Sequence, residues 1–156
     1  MTQMTPVWLA GAVLFLTTVS VLPQPVSGER EVRAAVEAFY AAFNSHDFSR
    51  VPVTEDWEHV NPFGGTARGR ETVLKELREV HSTFLKGVTD TVIQMTVRMA
   101  SADVAIATVT SQMSTYTTPN GSRYENEQHI RTFVVVKREN RWLIMHDQNT
   151  TIQSPN

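Results

Sequence analysis

Apolar residues in the first half of the chain recur at helical spacing in two stretches, Glu29–Asn44 and Arg70–Leu85. Such spacing places them on one face of a helix, which can pack against a core. The repeating residues are Val32, Val36, Phe39 and Phe43 in the first stretch and Val73, Leu77, Val80 and Phe84 in the second. Between the two stretches lies Phe48–Trp57, a shorter helical or irregular piece that Pro52 interrupts. The pattern therefore predicts three N-terminal helices, with a brief strand at Glu58–Val60.

After Gly87 the pattern changes to that of β-strands, which are rich in Val, Ile, Thr, Tyr and Phe. The four predicted strands are Thr89–Ala100, Asp103–Thr118, Ser122–Lys137 and Arg141–Ile152. Links as short as Ser101-Ala102 permit only antiparallel hairpins. Helices followed by a long four-stranded antiparallel meander are typical of an α+β domain.

Both faces of these strands carry apolar side chains. On the last strand Trp142 and Ile144 point one way, and Leu143 and Met145 point the other way. A sheet that helices cover on one side should be apolar on that side alone. The second face therefore favours a homodimer formed through the sheet, the alternative being strand centres that are simply very apolar.

The N-terminal 28 residues have the composition of an export signal. Val7–Leu22 is almost entirely apolar or small, and Pro23, Pro25 and Val26-Ser27-Gly28 follow it. This order predicts a signal peptide at residues 1–28 that is cleaved after Gly28. The remaining domain, residues 29–156, would then be secreted or periplasmic and free of the membrane. An uncleaved membrane anchor is the alternative, although the apolar run is shorter than the ~20 residues that a spanning helix needs.

Composition and charge exclude several kinds of function. The 14 Lys and Arg residues and 16 Asp and Glu residues give a net charge of −2, which offers no attraction to nucleic acid. The chain has no cysteine, so neither a disulfide framework nor a thiol nucleophile is possible. Its five histidines show no two-ligand spacing on one element, so no metal site is expected. No glycine-rich phosphate loop is present either, so we expect no cofactor.

Four local motifs, in order, resemble the nuclear transport factor 2-like superfamily. They are Phe39-Tyr40-Ala41-Ala42-Phe43-Asn44-Ser45-His46-Asp47, Val60-Asn61-Pro62-Phe63-Gly64, Gly69-Arg70-Glu71, and Arg141-Trp142-Leu143-Ile144 followed by Gln148-Asn149-Thr150. The last of these resembles the SnoaL-like members, particularly the SgcJ/EcaC branch. The resemblance implies a cone-shaped, cystatin-like domain in which helices pack on a curved sheet. It does not fix a function, because this fold carries many activities.

The resemblance also allows the acid–base residues of one relative, ketosteroid isomerase, to be sought here. Its proton-moving Asp corresponds to Asn61, whose amide is not a base at neutral pH. Its oxyanion-binding Tyr corresponds to Phe39, although Tyr40 is adjacent, and its second Asp falls in Thr132–Val134, where no carboxylate is present. We therefore expect no acid–base set of the isomerase type.

Other residues remain as candidates for chemistry or binding. His59 precedes Asn61 by two residues in an extended segment, and His146 is on the last strand, so either is a candidate general base. His146 and Gln148 are in phase with Trp142 and line the pocket if that phase faces the cone. If the other phase faces inward, Asp147 and Asn149 take their place. On the third strand Gln128 and Thr132 alternate with His129 and Arg131, and either pair could face inward. The predicted pocket-lining residues are Phe39, Trp57, Asn61, Phe63, His81, Trp142 and Gln148.

These observations support three hypotheses for function. The first is a secreted domain that binds a small apolar or amphipathic molecule in an apolar pocket. The second is a cofactor-free enzyme of the isomerase, cyclase or hydrolase kind, or one of the SgcJ/EcaC type labelled oxidoreductase, in which His59 or His146 moves a proton. The third is a dimeric interaction module in which side chains fill the cone.

Overall fold

A computed structural model describes residues 28–153, which form two α-helices and eight β-strands. The helices are α1 (Glu29–Ser45) and α2 (Arg70–Ser82). The strands are β1 (Val53–Val60), β2 (Thr66–Arg68), β3 (Asp90–Met99), β4 (Val104–Met113), β5 (Tyr116–Thr117), β6 (Arg123–Tyr124), β7 (Gln128–Arg138) and β8 (Arg141–Thr151). The predicted signal peptide lies outside the described residues, apart from Gly28.

The helical periodicity of the sequence corresponds to real helices in both stretches. In α1 the buried face includes Val32, Val36, Phe39 and Phe43, and it packs against β3, β4 and β8. His46 ends α1 in the left-handed conformation with a φ of 55°, a position that glycine usually takes at helix ends. The shorter α2 buries Val73, Leu77 and His81 and packs against β1 and β2.

The prediction of three helices is wrong, because the described residues form two. The segment Phe48–Trp57 contains a turn and then the first residues of β1. Pro52 cannot donate a helical hydrogen bond, and its carbonyl accepts one from Ile144 of β8 instead. Sheet pairing therefore extends the predicted strand at Glu58–Val60 back to Val53.

Six of the strands form one curved sheet in the order β2-β1-β8-β7-β4-β3. The predicted meander is present as the antiparallel pairs β3–β4, β4–β7 and β7–β8. The link between β4 and β7 carries a small separate hairpin, β5–β6. At the other side, β1 pairs in parallel with β8, which sets His59 directly beside Asp147.

A β-bulge in β8 changes which residues face the helices. Ile144 pairs with Val135, but the next pair along joins His146 to Val134, so Met145 is an extra residue on this strand. The inward-facing residues are therefore Trp142 and Ile144 before the bulge and Asp147 and Asn149 after it. Because side chains alternate with a period of two, one inserted residue exchanges the two faces of the strand.

The helices and the concave face of the sheet enclose the core, whereas no helix among residues 28–153 covers the convex face. Ile106 and Val134 are half-buried there, and Ile93 and Ile130 are exposed. Within residues 28–153, no helix is both long and apolar enough to cross a membrane.

Candidate active site

A cavity of about 130 Å³ lies between α2, the turn after β1 and the ends of β4, β7 and β8. Its wall is largely apolar, with Leu77, Val80, Phe84, Leu85 and Met113 on one side. The polar residues that line it are His59, Asn61, Glu76, Tyr116, His129, Arg131 and Asn149. An apolar chamber with a few convergent polar groups is the usual form of a small-molecule site.

The His59 ring is held by a buried carboxylate. Its Nδ1 lies 2.9 Å from Asp147 Oδ2, and the Asp147 side chain has no exposed surface. Because a carboxylate only accepts hydrogen bonds, Nδ1 carries the hydrogen and Nε2 keeps its lone pair. No hydrogen bond from the described residues engages Nε2. The ring, which lines the cavity, therefore has the arrangement of a general base that a carboxylate orients.

Three donors share the Asp147 carboxylate. Trp57 Nε1 donates to Oδ1 at 2.8 Å, and Arg131 donates from an NH group to Oδ2 at 3.2 Å, beside His59. Burial alone would raise the pKa of Asp147, but His59, Arg131 and Trp57 together hold the pKa below its ordinary value. The carboxylate therefore stays ionised and fixes the orientation of the His59 ring.

The Arg131 guanidinium is buried against two aromatic rings that meet edge to face. Its central carbon lies 4.9 Å from the centre of the Phe39 ring and 5.9 Å from that of Phe133. The nearby Asp90 carboxyl is buried too, and burial raises its pKa although Arg131 partly offsets that effect. Arg131 thus brings a fixed positive charge to the inner wall of the cavity.

A second histidine in the cavity is fully hydrogen-bonded. His129 Nε2 lies 2.9 Å from Glu127 Oε2, and His129 Nδ1 lies 2.9 Å from Asn149 Nδ2. Glu127 also accepts hydrogen bonds from the hydroxyls of Tyr116 and Thr151. Burial and the Glu127 carboxylate both raise the pKa of Tyr116, which keeps that hydroxyl protonated. With both ring nitrogens engaged, His129 orients its neighbours rather than offering a free base.

Of the predicted site residues, His59, Asn61 and Phe63 line the cavity. Asn61 Oδ1 accepts hydrogen bonds from the backbone N–H groups of Phe63 and Gly65, so the amide stabilises the turn. Phe63 is 65% exposed beside that turn, where it forms part of the cavity mouth.

Phe39, Trp57, His81 and Trp142 are buried but are not among the residues that line the cavity. Phe39 and Trp57 lie behind the lining, under Arg131 and Asp147 respectively. Trp142 belongs to the apolar core.

His81 lies between the rings of Phe43 and Phe48. Its Nδ1 hydrogen-bonds to the Nδ1 of His46 at 2.6 Å. Burial, reinforced by His46, lowers the pKa of His81 to about 4. A neutral core histidine is the result.

His146 and Gln148 face away from the cavity, so their predicted place in the pocket is wrong. Gln148 is exposed, and His146 is half-buried with Nδ1 3.8 Å from a carboxylate oxygen of Glu58. The extra residue Met145 places the opposite phase, Asp147 and Asn149, inward. Sequence periodicity left both phases open, and it carries no signal for a bulge.

The described residues contain no group of three or more His, Asp or Glu side chains that could hold a metal ion. Both histidines that line the cavity are hydrogen-bonded to carboxylates behind it, His59 to Asp147 and His129 to Glu127. The chemistry that this arrangement offers is proton transfer and hydrogen bonding.

Solved structures with this fold include several proteins from bacteria. A Caulobacter vibrioides protein with a cystatin-like fold shares 25% identity, over 82% of this chain and 92% of that one, with a TM-score of 0.79. A protein from Streptomyces avermitilis, provisionally assigned as a dehydratase of the NTF2-like family, shares 17% identity over 80% of this chain and 97% of that one, with a TM-score of 0.66. A Shewanella frigidimarina protein, provisionally assigned as a ketosteroid isomerase, shares 19% identity over 78% and 96%, with a TM-score of 0.63.

These likenesses establish the α+β cone fold with its curved antiparallel sheet. No curated protein shows significant sequence similarity to this chain. The resemblance to the SgcJ/EcaC branch stays a prediction. The sequence model of the SnoaL-like domain matches residues 36–143, which is more than half of the chain, and the protein therefore belongs to the SnoaL-like family of the NTF2-like superfamily.

Proposed function

We propose that the protein is a cofactor-free enzyme that binds a small, largely apolar molecule and moves a proton to or from one of its carbon atoms. One observation carries the proposal: His59 lines the apolar cavity while the buried Asp147 carboxylate holds its Nδ1. This pairing leaves Nε2 as the basic nitrogen. The sequence alone favoured ligand binding without catalysis, because it showed no carboxylate at the isomerase position, Asn61.

The chemistry follows from the charges around the ring. When His59 Nε2 takes a proton from carbon, the ring becomes positive and the ionised Asp147 stabilises it. The electron pair left on the substrate moves towards an electronegative atom, which needs a donor. Arg131 lines the same cavity and carries a positive charge without further proton transfer.

The cavity limits the size and polarity of the substrate. About 130 Å³ is close to the ~150 Å³ that accommodates benzene in an engineered cavity. The wall of Leu77, Val80 and Phe84 favours an alicyclic or aromatic ring, and larger groups would extend past Phe63 at the mouth. Two proteins of the same fold are provisionally assigned as a dehydratase and an isomerase. These assignments belong to those proteins, and they agree with a proposal of proton transfer at carbon.

The test uses 5-nitrobenzisoxazole, a probe that reports on a single base. Removal of its ring C–H proton breaks the N–O bond and forms a nitrile and a coloured phenoxide, so no cofactor is needed. We expect the wild-type protein to accelerate this reaction. His59→Gln should lower kcat/KM by roughly 10²- to 10⁴-fold, the usual contribution of a positioned base.

His146→Gln is the matched control, because it removes a histidine from the convex face. Its kcat/KM should equal that of the wild type. Equal rates for His59→Gln and wild type would contradict the proposal. If the probe binds without turnover, the ligand-binding hypothesis is retained and the enzyme proposal fails. The amide at Asn61 favours that hypothesis.

Export and dimerisation accompany this proposal. The apolar segment before Glu29 supports secretion, and intact-mass measurement of the exported protein should give a mature chain that begins at Glu29.

Half-buried apolar residues such as Ile106 and Val134 on the convex face support a homodimer. Light scattering should then report a dimer that Val134→Glu converts to a monomer.

A further inference from the structure

Two residues that line the cavity each have a buried polar atom without a hydrogen-bond partner among the described residues. These atoms are Oδ1 of Asn149 and Nε of Arg131. Both residues line the cavity, and they are only 4% and 5% exposed. A buried polar atom without a partner is costly, so such atoms are normally satisfied by water or by a ligand.

The orientation of the Asn149 amide is fixed by its neighbours. Glu127 accepts from His129 Nε2, so the hydrogen of the neutral ring is on Nε2. His129 Nδ1 must then accept a hydrogen bond, and the Asn149 Nδ2 group donates it at 2.9 Å. The amide cannot rotate without losing this bond, so Oδ1 remains an acceptor.

The Arg131 guanidinium is fixed in the same way. One NH group donates to Asp147, and the planar group lies over the Phe39 ring. Its Nε–H is a buried donor that has no acceptor among the described residues. Arginine has no acceptor atom, so this position only donates.

The two atoms belong to residues that are directly opposite each other on neighbouring strands. Arg131 of β7 pairs with Asn149 of β8, and both side chains point to the concave face. Side chains at such positions start about 5 Å apart, so one small group can reach both.

We infer that Arg131 and Asn149 form a subsite for a hydroxyl group, so the ligand is a small apolar molecule that carries an alcohol, phenol or enol. A hydroxyl accepts from Arg131 Nε and donates to Asn149 Oδ1 at the same time. A carbonyl satisfies only Arg131, an ammonium satisfies only Asn149 and is repelled by Arg131, and a carboxylate places negative charge beside the acceptor Oδ1. This inference names the class of substrate for the proposed function. It rests on that function only because both use the same cavity.

The test compares cyclohexanol with cyclohexanone, which differ at the oxygen and have similar rings. Both are titrated into the ¹⁵N-labelled full chain, and Kd is measured from backbone amide shifts around the cavity. We expect cyclohexanol to bind about three- to tenfold more tightly, as one neutral hydrogen bond allows. Equal Kd values, tighter binding of cyclohexanone, or no binding of either probe would overturn the inference.

Two variants assign the preference to the subsite. Asn149→Leu removes the acceptor and should bring the ratio of the two Kd values to about one. Gln148→Leu makes the same amide-to-apolar change on the adjacent exposed residue and should leave the ratio unchanged.

The outcomes separate this inference from the proposed function. His59→Gln should lose turnover of 5-nitrobenzisoxazole but keep the preference for cyclohexanol. If the wild type prefers cyclohexanol yet shows no turnover, only the proton-transfer proposal fails. If the Asn149→Leu chain does not fold, the ¹³C and ¹⁵N shifts of the His129 ring in the wild type still decide. A hydrogen on Nδ1 would contradict the fixed amide, and a wild-type preference with the hydrogen on Nε2 would support the subsite.

Discussion

The concave face of β7 and β8 has two halves that differ in composition and in structural role. One half consists of Phe133, Val135 and Ile144, all with no exposed surface; Val135 and Ile144 lie on one side of the bulge, and Phe133 pairs with Asp147 immediately past it. The other half consists of His129, Arg131, Asp147 and Asn149, which are equally buried but hydrogen-bonded or charged. We call these the apolar half and the polar half.

The difference shows how one pair of strands can supply both a core and a site. Burial of the apolar half stabilises the fold through the hydrophobic effect. Burial of the polar half costs desolvation free energy, which its internal hydrogen bonds offset only if every partner is present. The polar residues in this half are therefore explained by a role in the candidate site rather than by a contribution to the stability of the fold.

The largest effect is expected from removing the residue that separates the two halves. Deleting Met145 makes the alternation of β8 uniform, so either Trp142 and Ile144 or Asp147 and Asn149 must face outward. Thermal unfolding followed by circular dichroism should show loss of the cooperative transition. Met145→Leu keeps the strand length and should change the free energy of unfolding by less than about 1.5 kcal/mol. A cooperative, stable deletion variant would contradict our reading of the bulge.

In the apolar half, Phe133→Ala should lower the free energy of unfolding by about 3–5 kcal/mol, because it leaves a cavity beneath Phe39 and Tyr40. Urea denaturation gives the value. The adjacent exposed residue provides the control, since Thr132→Ala removes no buried contact and should stay within about 0.5 kcal/mol.

In the polar half, Asp147→Asn should cost about 3 kcal/mol, since Arg131 loses its buried counter-charge. Turnover of 5-nitrobenzisoxazole should fall as well, because an amide does not stabilise a positive His59. The exposed pair of Asp56 and Arg138 is the control, and Asp56→Asn should cost no more than about 1 kcal/mol.

A double substitution sharpens the comparison between the halves. Asp147→Leu with Arg131→Met removes both buried charges, so most of the stability lost in the single variant should return while turnover remains absent. If the double variant is less stable than either single variant, the polar half stabilises the fold more than we infer.

The smallest expected effect concerns His81, which lies in the core outside the polar half. Its pKa is lowered from 6.5 to about 4 in the folded protein, so the unfolded chain binds more protons between these values. The stability contributed by neutral His81 is thus complete above pH 6.5 and decreases as the pH falls through about 4, by roughly 1–2 kcal/mol. Urea denaturation at pH 7 and pH 4.5 measures the loss, and His81→Leu should reduce it. An unchanged pH dependence in that variant would contradict the assignment.

The sequence predicted the parts of the fold that depend on local periodicity. The apolar spacing of Val32 to Phe43 and of Val73 to Leu77 was sufficient for α1 and α2, and short links were sufficient for the hairpins. The extent of β1 was not predictable in this way. Its pairing with β8 depends on residues more than 80 positions later in the chain, and Pro52 made the segment look irregular.

The candidate site was predictable in its residue types but not in its pairing. His59 stood out because it lies two residues before Asn61 on the same side of an extended segment, which placed it at the expected pocket mouth. Its actual partner, Asp147, belonged to the other strand phase, because the family resemblance of Gln148-Asn149-Thr150 favoured Gln148. Only the three-dimensional register, with Met145 inserted, shows that the two halves of β8 follow different phases.

The parallel pairing of β1 with β8 has a consequence for folding kinetics. His59 and Asp147 are 88 residues apart in sequence, so their contact closes a loop that spans most of the domain. Contacts of such long range form slowly, and β8 must be complete and in register before the dyad exists. We therefore expect proton-transfer activity to return in the last phase of refolding, after helical circular dichroism has recovered.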